Sequence, residues 1–190
     1  MKINCIIQAR MGSERFPGKV FATWKWHEPL FVNIARRCGG AAVDKVILAI
    51  PAGSLDDELA KEAKSRWLCV VRSAERNVAK RFKKVLNEHP CDGFVRVCAD
   101  SPFIMPELIS AVANRLRAGD PFCYVKGAPG GQQPQACRTD VFREAYPDFT
   151  EDEHEHVLIG LQRKYRDYFI DASNMCVDTP EDLERLREWL

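Results

Sequence analysis

The residues best able to do chemistry in this 190-residue chain sit near its start, in Gln8-Ala9-Arg10-Met11-Gly12-Ser13-Glu14-Arg15-Phe16-Pro17-Gly18-Lys19. Arg10, Arg15 and Lys19 supply three cations in one short stretch. Gly12 and Gly18 allow backbone N–H groups to come close to an anion. Cations that donate hydrogen bonds, set among glycines, suit a polyphosphate such as a nucleoside triphosphate. The segment is not a Walker A loop: Gly12 and Gly18 enclose five residues where that motif has four, and Val20 stands where its metal-binding hydroxyl would be. G-x-G-x-x-G is absent too. A solvated basic turn is the plainer reading of the same residues.

Two aspartates extend the pattern. Asp100 follows the apolar run Val95-Arg96-Val97-Cys98-Ala99, and Asp178 follows Met175-Cys176-Val177. Thr179, Pro180 and Asp182 are explained as an N-cap, an N1 proline and the N3 member of a capping box. That account leaves Asp178 over. Two lone carboxylates at strand ends can hold one Mg²⁺, which takes one or two carboxylates together with phosphate oxygens. Taken singly, each is an ordinary turn residue.

Strand-like runs at Ile3–Gln8, Lys45–Ile50, Trp67–Val71, Gly93–Cys98, Phe122–Val125 and Met175–Val177 must position these groups. Helical patterns fall between them, at Leu30–Arg37, Asp56–Arg66, Val78–Glu88, Pro106–Arg117, Glu153–Tyr165 and Pro180–Trp189. Val78, Phe82, Val85 and Leu86 follow the spacing of one helical face. Such alternation implies an α/β fold on a mostly parallel sheet, in which ligands bind beyond the carboxyl ends of strands. The first loop and Asp100 both belong there. Gly127–Pro134 reads as a loop or lid.

Composition excludes several classes. Hydrophobic residues make up 46% and charged residues 29%, which argues for one globular domain over residues 1–190. The apolar runs are too short for a membrane span, and the opening turns polar too soon for a secretory signal. Eight cysteines without a C-x-x-C pair read as reduced thiols in a cytoplasmic protein. A net charge of +1 is too small for a general nucleic-acid binder. Its distribution is uneven: residues 1–40 hold seven Lys/Arg against two Glu, and residues 140–190 hold 14 Asp/Glu against six Lys/Arg. His154 and His156 do not share a helical face and lack a third ligand at zinc spacing. Trp24, Trp26, Trp67 and Trp189 read as core or interface anchors, and Trp24-Lys25-Trp26-His27 as a hairpin tip or homodimer contact.

The segments together resemble the cytidylyltransferases that activate acidic sugars, above all their SpsF-like, spore-coat-polysaccharide branch. The resemblance rests on the opening segment, on Glu75-x-Asn77-Val78 with Arg81-Phe82, on Arg96-x-x-x-Asp100-x-Pro102, on Glu155-His156-Val157, and on Val177-Asp178-Thr179-Pro180-Glu181-Asp182-Leu183. It implies a three-layer α/β/α sandwich of the nucleotide-diphospho-sugar transferase type. It also implies an Mg²⁺-dependent transfer of CMP from CTP to a sugar acid, with release of pyrophosphate. Under it, Arg10, Lys19 and Asp100 are catalytic. Gln8, Ala9, Arg10, Gly12, Ser13, Arg15, Lys19, Glu75, Asn77 and Asp100 contact the nucleotide, and Asp100 with Asp178 holds the metal. Gln135, Arg138 and His156 fall on the acceptor side, where the chain departs most from the branch pattern. The alternatives are the same fold with another nucleotide or a non-sugar acceptor, or a nucleotide-binding pseudoenzyme acting as a partner or regulator.

Overall fold

The computed structural model describes residues 1–23, 28–73, 77–128 and 132–172. Its centre is a seven-stranded sheet in the order β3-β2-β1-β4-β6-β5-β7. The strands are β1 Ile3–Gln8, β2 Lys45–Pro51, β3 Cys69–Ser73, β4 Gly93–Cys98, β5 Phe122–Lys126, β6 Gln135–Arg138 and β7 Phe169–Asp171. β6 alone runs against its neighbours β4 and β5; the other pairings are parallel. The helices are α1 Leu30–Gly39, α2 Asp57–Ser65, α3 Val78–Glu88, α4 Pro106–Arg117, α5 Thr139–Ala145, α6 Glu151–Glu155 and α7 Ile159–Lys164.

The alternating side chains of the strands separate two core layers. Ile3, Cys5, Ile7, Leu48, Ile50, Val95 and Val97 face α1, α2 and α4. Ile6, Ile47, Ala49, Phe94 and Phe122 face α3, α5 and α7. This is the expected three-layer sandwich. Because β1, β2 and β3 advance toward one edge with their helices on one face, the return from β3 to β4 must carry α3 across the other face. Right-handed crossovers require that arrangement.

The strongly patterned elements lie where the sequence puts them, and α3 starts as expected because the Asn77 side chain accepts from the Lys80 N–H at 2.6 Å. Four differences have physical causes. Trp67 is 96% exposed at φ 61, so it ends the α2 turn and neither begins β3 nor enters the core. β6 and β7 are short and polar at their ends, without the apolar run of a strand. Thr139–Ala145 forms a helix that periodicity did not suggest. The single helix expected over Glu153–Tyr165 breaks at Leu158, which sits at φ 78. Leu158 has left-handed backbone, which an α-helix cannot continue through, and its side chain and that of Val157 are buried. The strand Met175–Val177, the helix Pro180–Trp189 and the residues Trp24, Trp26 and Trp189 lie outside the described residues.

The seven described cysteines are free thiols. Burial pushes the Cys137 thiol far up, and a hydrogen bond with Cys38, aided by burial, does the same for Cys5. Each thiol therefore stays protonated in the folded chain while its unfolded counterpart ionises. Their contribution to stability is complete below the unfolded thiol value near pH 8.5 and declines as pH rises past it, by roughly 1.4 kcal/mol per pH unit and thiol. Urea melts at pH 7.5 and pH 10 should show this alkaline loss, and Cys137→Ala should reduce its pH dependence.

Candidate active site

β1 and β4 pair in parallel up to Gln8 opposite Cys98, and the Ala99 N–H still donates to the Gln8 carbonyl at 2.9 Å. Beyond this point the two chains part, and a cleft of about 360 Å³ opens at the carboxyl ends of the strands. Ligand pockets of α/β sheets form at such places. Gln8, Ala9, Arg10, Ser13, Arg15, Lys19, Asp100 and His156 line it, as do Val78, Arg81, Cys98 and Glu155.

The loop after β1 is fixed by its own backbone. The Ser13 and Gly18 N–H groups both donate to the Met11 carbonyl at 2.9 Å, and the Met11 N–H donates to the buried Asp56 carboxylate at 2.7 Å. Gly18 sits at φ 69, a left-handed conformation that glycine adopts without strain. Its N–H is engaged within the loop, so Gly18 shapes the turn and does not offer that donor to an anion. Gly12 packs toward Leu55 and is not part of the cleft wall. The cations carry the anion-binding character instead. Lys19 reaches across to Asp100 and forms an ion pair with it, both groups being partly exposed. The reading of Asp100 as an unpaired carboxylate is thereby corrected: Lys19 balances it in the ligand-free chain.

On the face of α3 and α7, a polar network runs inward from the cleft. Arg96 on β4 donates to Gln8 Oε1 at 2.9 Å and to Gln135 Oε1 at 2.6 Å, and it approaches Cys98 Sγ at 3.5 Å. The Gln135 amide then donates to Gln162 on α7 at 2.5 Å. Gln135 thus reaches the cleft only through Arg96 and Gln8. With Oε1 of Gln8 held by the guanidinium, its amide nitrogen is the polar end left for a ligand. Burial pushes the Cys98 thiol up, so the cysteine in the cleft wall is neutral and does not act as a thiolate.

Other expected site residues are placed elsewhere. Arg138 pairs opposite Gly93, at the far end of β4, and binds Asp140 at 2.5 Å; sheet register keeps it from the cleft. Asn77 caps α3 and is not in the cleft wall. Glu75 and Asp178 lie outside the described residues. His156 is an exposed cleft residue that approaches Asp152 at 3.8 Å. His154 turns away from it and packs on Tyr146 and Phe149. No group of three or more metal-ligating side chains occurs among the described residues, and no described helix is long and apolar enough to cross a membrane. Arg81 is the cleft cation absent from the expected site residues, and Glu14 and Glu155 add two carboxylates to the wall that were not expected there either. The signal for Arg81 was a cation on the apolar face of α3, one position before Phe82.

Solved structures with the same architecture include a cytidylyltransferase from Leptospira borgpetersenii, at TM-score 0.81 and 20% identity over 98% of this chain and 85% of that one. A CMP:2-keto-3-deoxy-manno-octonic acid synthetase complexed with CTP matches at TM-score 0.70 and 17% identity, over 100% of this chain and 98% of that one. The fold is thus that of the nucleotidyltransferases. Residues 4–186 match the family model of the cytidylyltransferases, and the chain belongs to that family. Among its relatives is the spore coat polysaccharide biosynthesis protein SpsF of Bacillus subtilis, 28% identical over 96% of this chain and 83% of that protein. A 3-deoxy-manno-octulosonate cytidylyltransferase of Yersinia pseudotuberculosis is 31% identical over 62% of this chain and 47% of its own length.

Among the described residues, Arg96 is the one donor to two partly buried amide oxygens, and its removal takes that donor from both. Arg96→Met should destabilise the protein by about 2–4 kcal/mol in urea melts. Gln135→Met, which removes one of those acceptors, should cost less. The double variant should lose less than the sum of the two, which a double-mutant cycle measures directly.

Proposed function

We propose that this chain transfers CMP from CTP to a sugar acid and releases pyrophosphate, as the resemblance of its motifs implies. The single observation that carries the reading is the convergence of Arg10, Arg15, Lys19 and Asp100 on one cleft at the β1–β4 divergence. Membership of the cytidylyltransferase family supplies the nucleotide, and a relative named for 3-deoxy-manno-octulosonate supplies the acceptor class.

In this reading, an acceptor hydroxyl oxygen attacks the α-phosphorus. The bond from that phosphorus to the bridging oxygen breaks, pyrophosphate leaves, and the hydroxyl proton is released to solvent. Negative charge grows on the bridging and leaving oxygens, so fixed cations lower the barrier most effectively when they are already in place. Arg10 and Arg15 are suited to that task by their position in the cleft wall. Lys19 would exchange the Asp100 carboxylate for phosphate oxygens, a change of partner that frees Asp100. A lone carboxylate beside phosphates fits Mg²⁺, which needs only one or two carboxylates from the protein. Asp100 would hold that ion, with Asp178 as the second ligand that the motif resemblance implies. When bound, the ion supplies charge stabilisation to the phosphates. Positioning and electrostatics of this kind need no covalent nucleophile, and the neutral Cys98 thiol is in keeping with that.

Thermal-shift measurements with CTP, UTP, GTP and ATP, each with Mg²⁺, should give the largest stabilisation with CTP. Equal or larger stabilisation by GTP would overturn the cytidylyl assignment. Pyrophosphate release from CTP with 3-deoxy-manno-octulosonate and other sugar acids tests the acceptor. Binding of CTP without release for any of them would favour a nucleotide-binding pseudoenzyme.

A second expectation concerns Asp100. Asp100→Asn should remove most turnover, while a partly exposed ion pair is worth only about 0–1 kcal/mol, so stability without ligand should change by less than that. Turnover and urea melts on the same variant check both halves of this expectation.

A further inference from the structure

Arg81 lies on the first turns of α3 and is 2% exposed. Its Nε and Nη1 are buried and find no hydrogen-bond acceptor among the described residues. The same side chain lines the cleft beside Arg10, Val78, Glu155 and His156. Burying a charge without a partner is among the most unfavourable arrangements in a folded chain. Two neighbours make it worse. The amino end of α3 carries the positive end of the helix dipole, and the charge of Arg10 also acts on this guanidinium. Burial first, and then Arg10, pull the Arg81 pKa down to about 10, against an opposing pull from Asp56. At neutral pH the group is still fully charged. Asp56 acts on the guanidinium through its charge, and Nε and Nη1 still have no acceptor among the described residues.

Apolar side chains would serve this position better if packing were its only role. Val78, Phe82, Val85 and Leu86 on the same helix are all buried, and Arg81 stands among them as a cation. No described residue supplies the missing partner, and the cleft is where a ligand can supply it.

We propose that Arg81 is an anion-binding residue of the cleft, forming with Arg10 a two-guanidinium subsite for an oxyanion of the bound ligand, apart from the Lys19–Asp100 pair. The planar donors of arginine match phosphate and carboxylate oxygens alike. The inference rests on the cleft being the nucleotide and sugar-acid site. Within it, the oxyanion is either a nucleotide phosphate or the acceptor carboxylate.

Calorimetry separates these sources, with CTP, cytidine, tripolyphosphate and 3-deoxy-manno-octulosonate as probes. The proteins are the wild type, Arg81→Met, Arg81→Lys, and Lys80→Met as an exposed control that removes the same charge. A phosphate partner predicts that Arg81→Met weakens CTP and tripolyphosphate at least tenfold and leaves cytidine unchanged. A carboxylate partner predicts the same loss for the sugar acid alone. Arg81→Lys should fall between the wild type and Arg81→Met, and Lys80→Met should stay within twofold of the wild type. Without ligand, Arg81→Met should melt no lower than the wild type, because it removes an unpaired buried charge. Unchanged affinity of Arg81→Met for all four probes would overturn the subsite while leaving the cytidylyl reading intact. Loss of tripolyphosphate binding in Arg81→Met, with no preference of the wild type for CTP over other nucleotides, would support the subsite and overturn that reading. Should the Met variant fail to fold, CTP, tripolyphosphate and sugar-acid affinities of Arg81→Lys equal to wild type would count against the subsite.

Discussion

The parallel register of β1 with β4 is the constraint on which the rest depends. Gln8 and Cys98 are opposite each other at the last paired position, and the chains separate immediately afterwards. β1 continues toward α1 on one face, while α3 arrives across the other face before β4. The divergence therefore opens a cleft between elements of both layers. The loop from Ala9 to Lys19 forms one wall, Ala99 and Asp100 another, and the start of α3 with the α6–α7 junction the inner side. A slip of one residue in this pairing would turn Gln8 and Arg96 to opposite faces of the sheet and dissolve the site with them.

The cleft wall sets four cations, Arg10, Arg15, Lys19 and Arg81, against the carboxylates of Glu14, Asp100 and Glu155. Lys19 has Asp100, yet Arg10 and Arg15 face the same space, and Arg81 is buried behind them. Such a site sacrifices some stability for readiness, because a bound anion finds donors already oriented and stripped of water. The Arg96 network contributes on the sheet side by fixing side chains. By holding both Gln8 and Gln135 through Oε1, it sets which end of Gln8 meets a ligand. One part of the site thus supplies charge, and the other supplies orientation.

Much of this was legible in the sequence. β1, β2, β4, α3 and α4 have strong periodicity or apolar runs, and the loop between Gln8 and Lys19 stands out by residue type. The remainder depends on tertiary partners. Gln135-Ala136-Cys137-Arg138 has no strand pattern until Arg96 satisfies Gln135 and the chain fills the gap between β4 and β5. The break at Leu158 lies in its left-handed backbone, which no helical period expresses. Arg138 resembled an acceptor contact by type, and only the antiparallel register sends it to the other end of the sheet. The pairing of Lys19 with Asp100, 81 positions apart, likewise exists only once β1 and β4 are neighbours.

Arg81 shows why a cation inside an apolar stripe carries information that composition cannot. On an exposed face, one more arginine among many would be ordinary. At this position it interrupts the side of α3 that packs on β1, β2 and β3, where burial strips it of water and the helix end opposes its charge. Packing on α6 then brings the α6–α7 junction, with Glu155 and His156, to the same cleft. Glu155 offers a carboxylate in that wall, and yet two buried nitrogens of Arg81 are still without an acceptor. An arrangement that frustrates a buried cation from several directions is stable enough to persist only within a well-packed core. The large apolar layer of Ile6, Phe82, Phe94, Phe122 and Phe142 beneath it provides that margin.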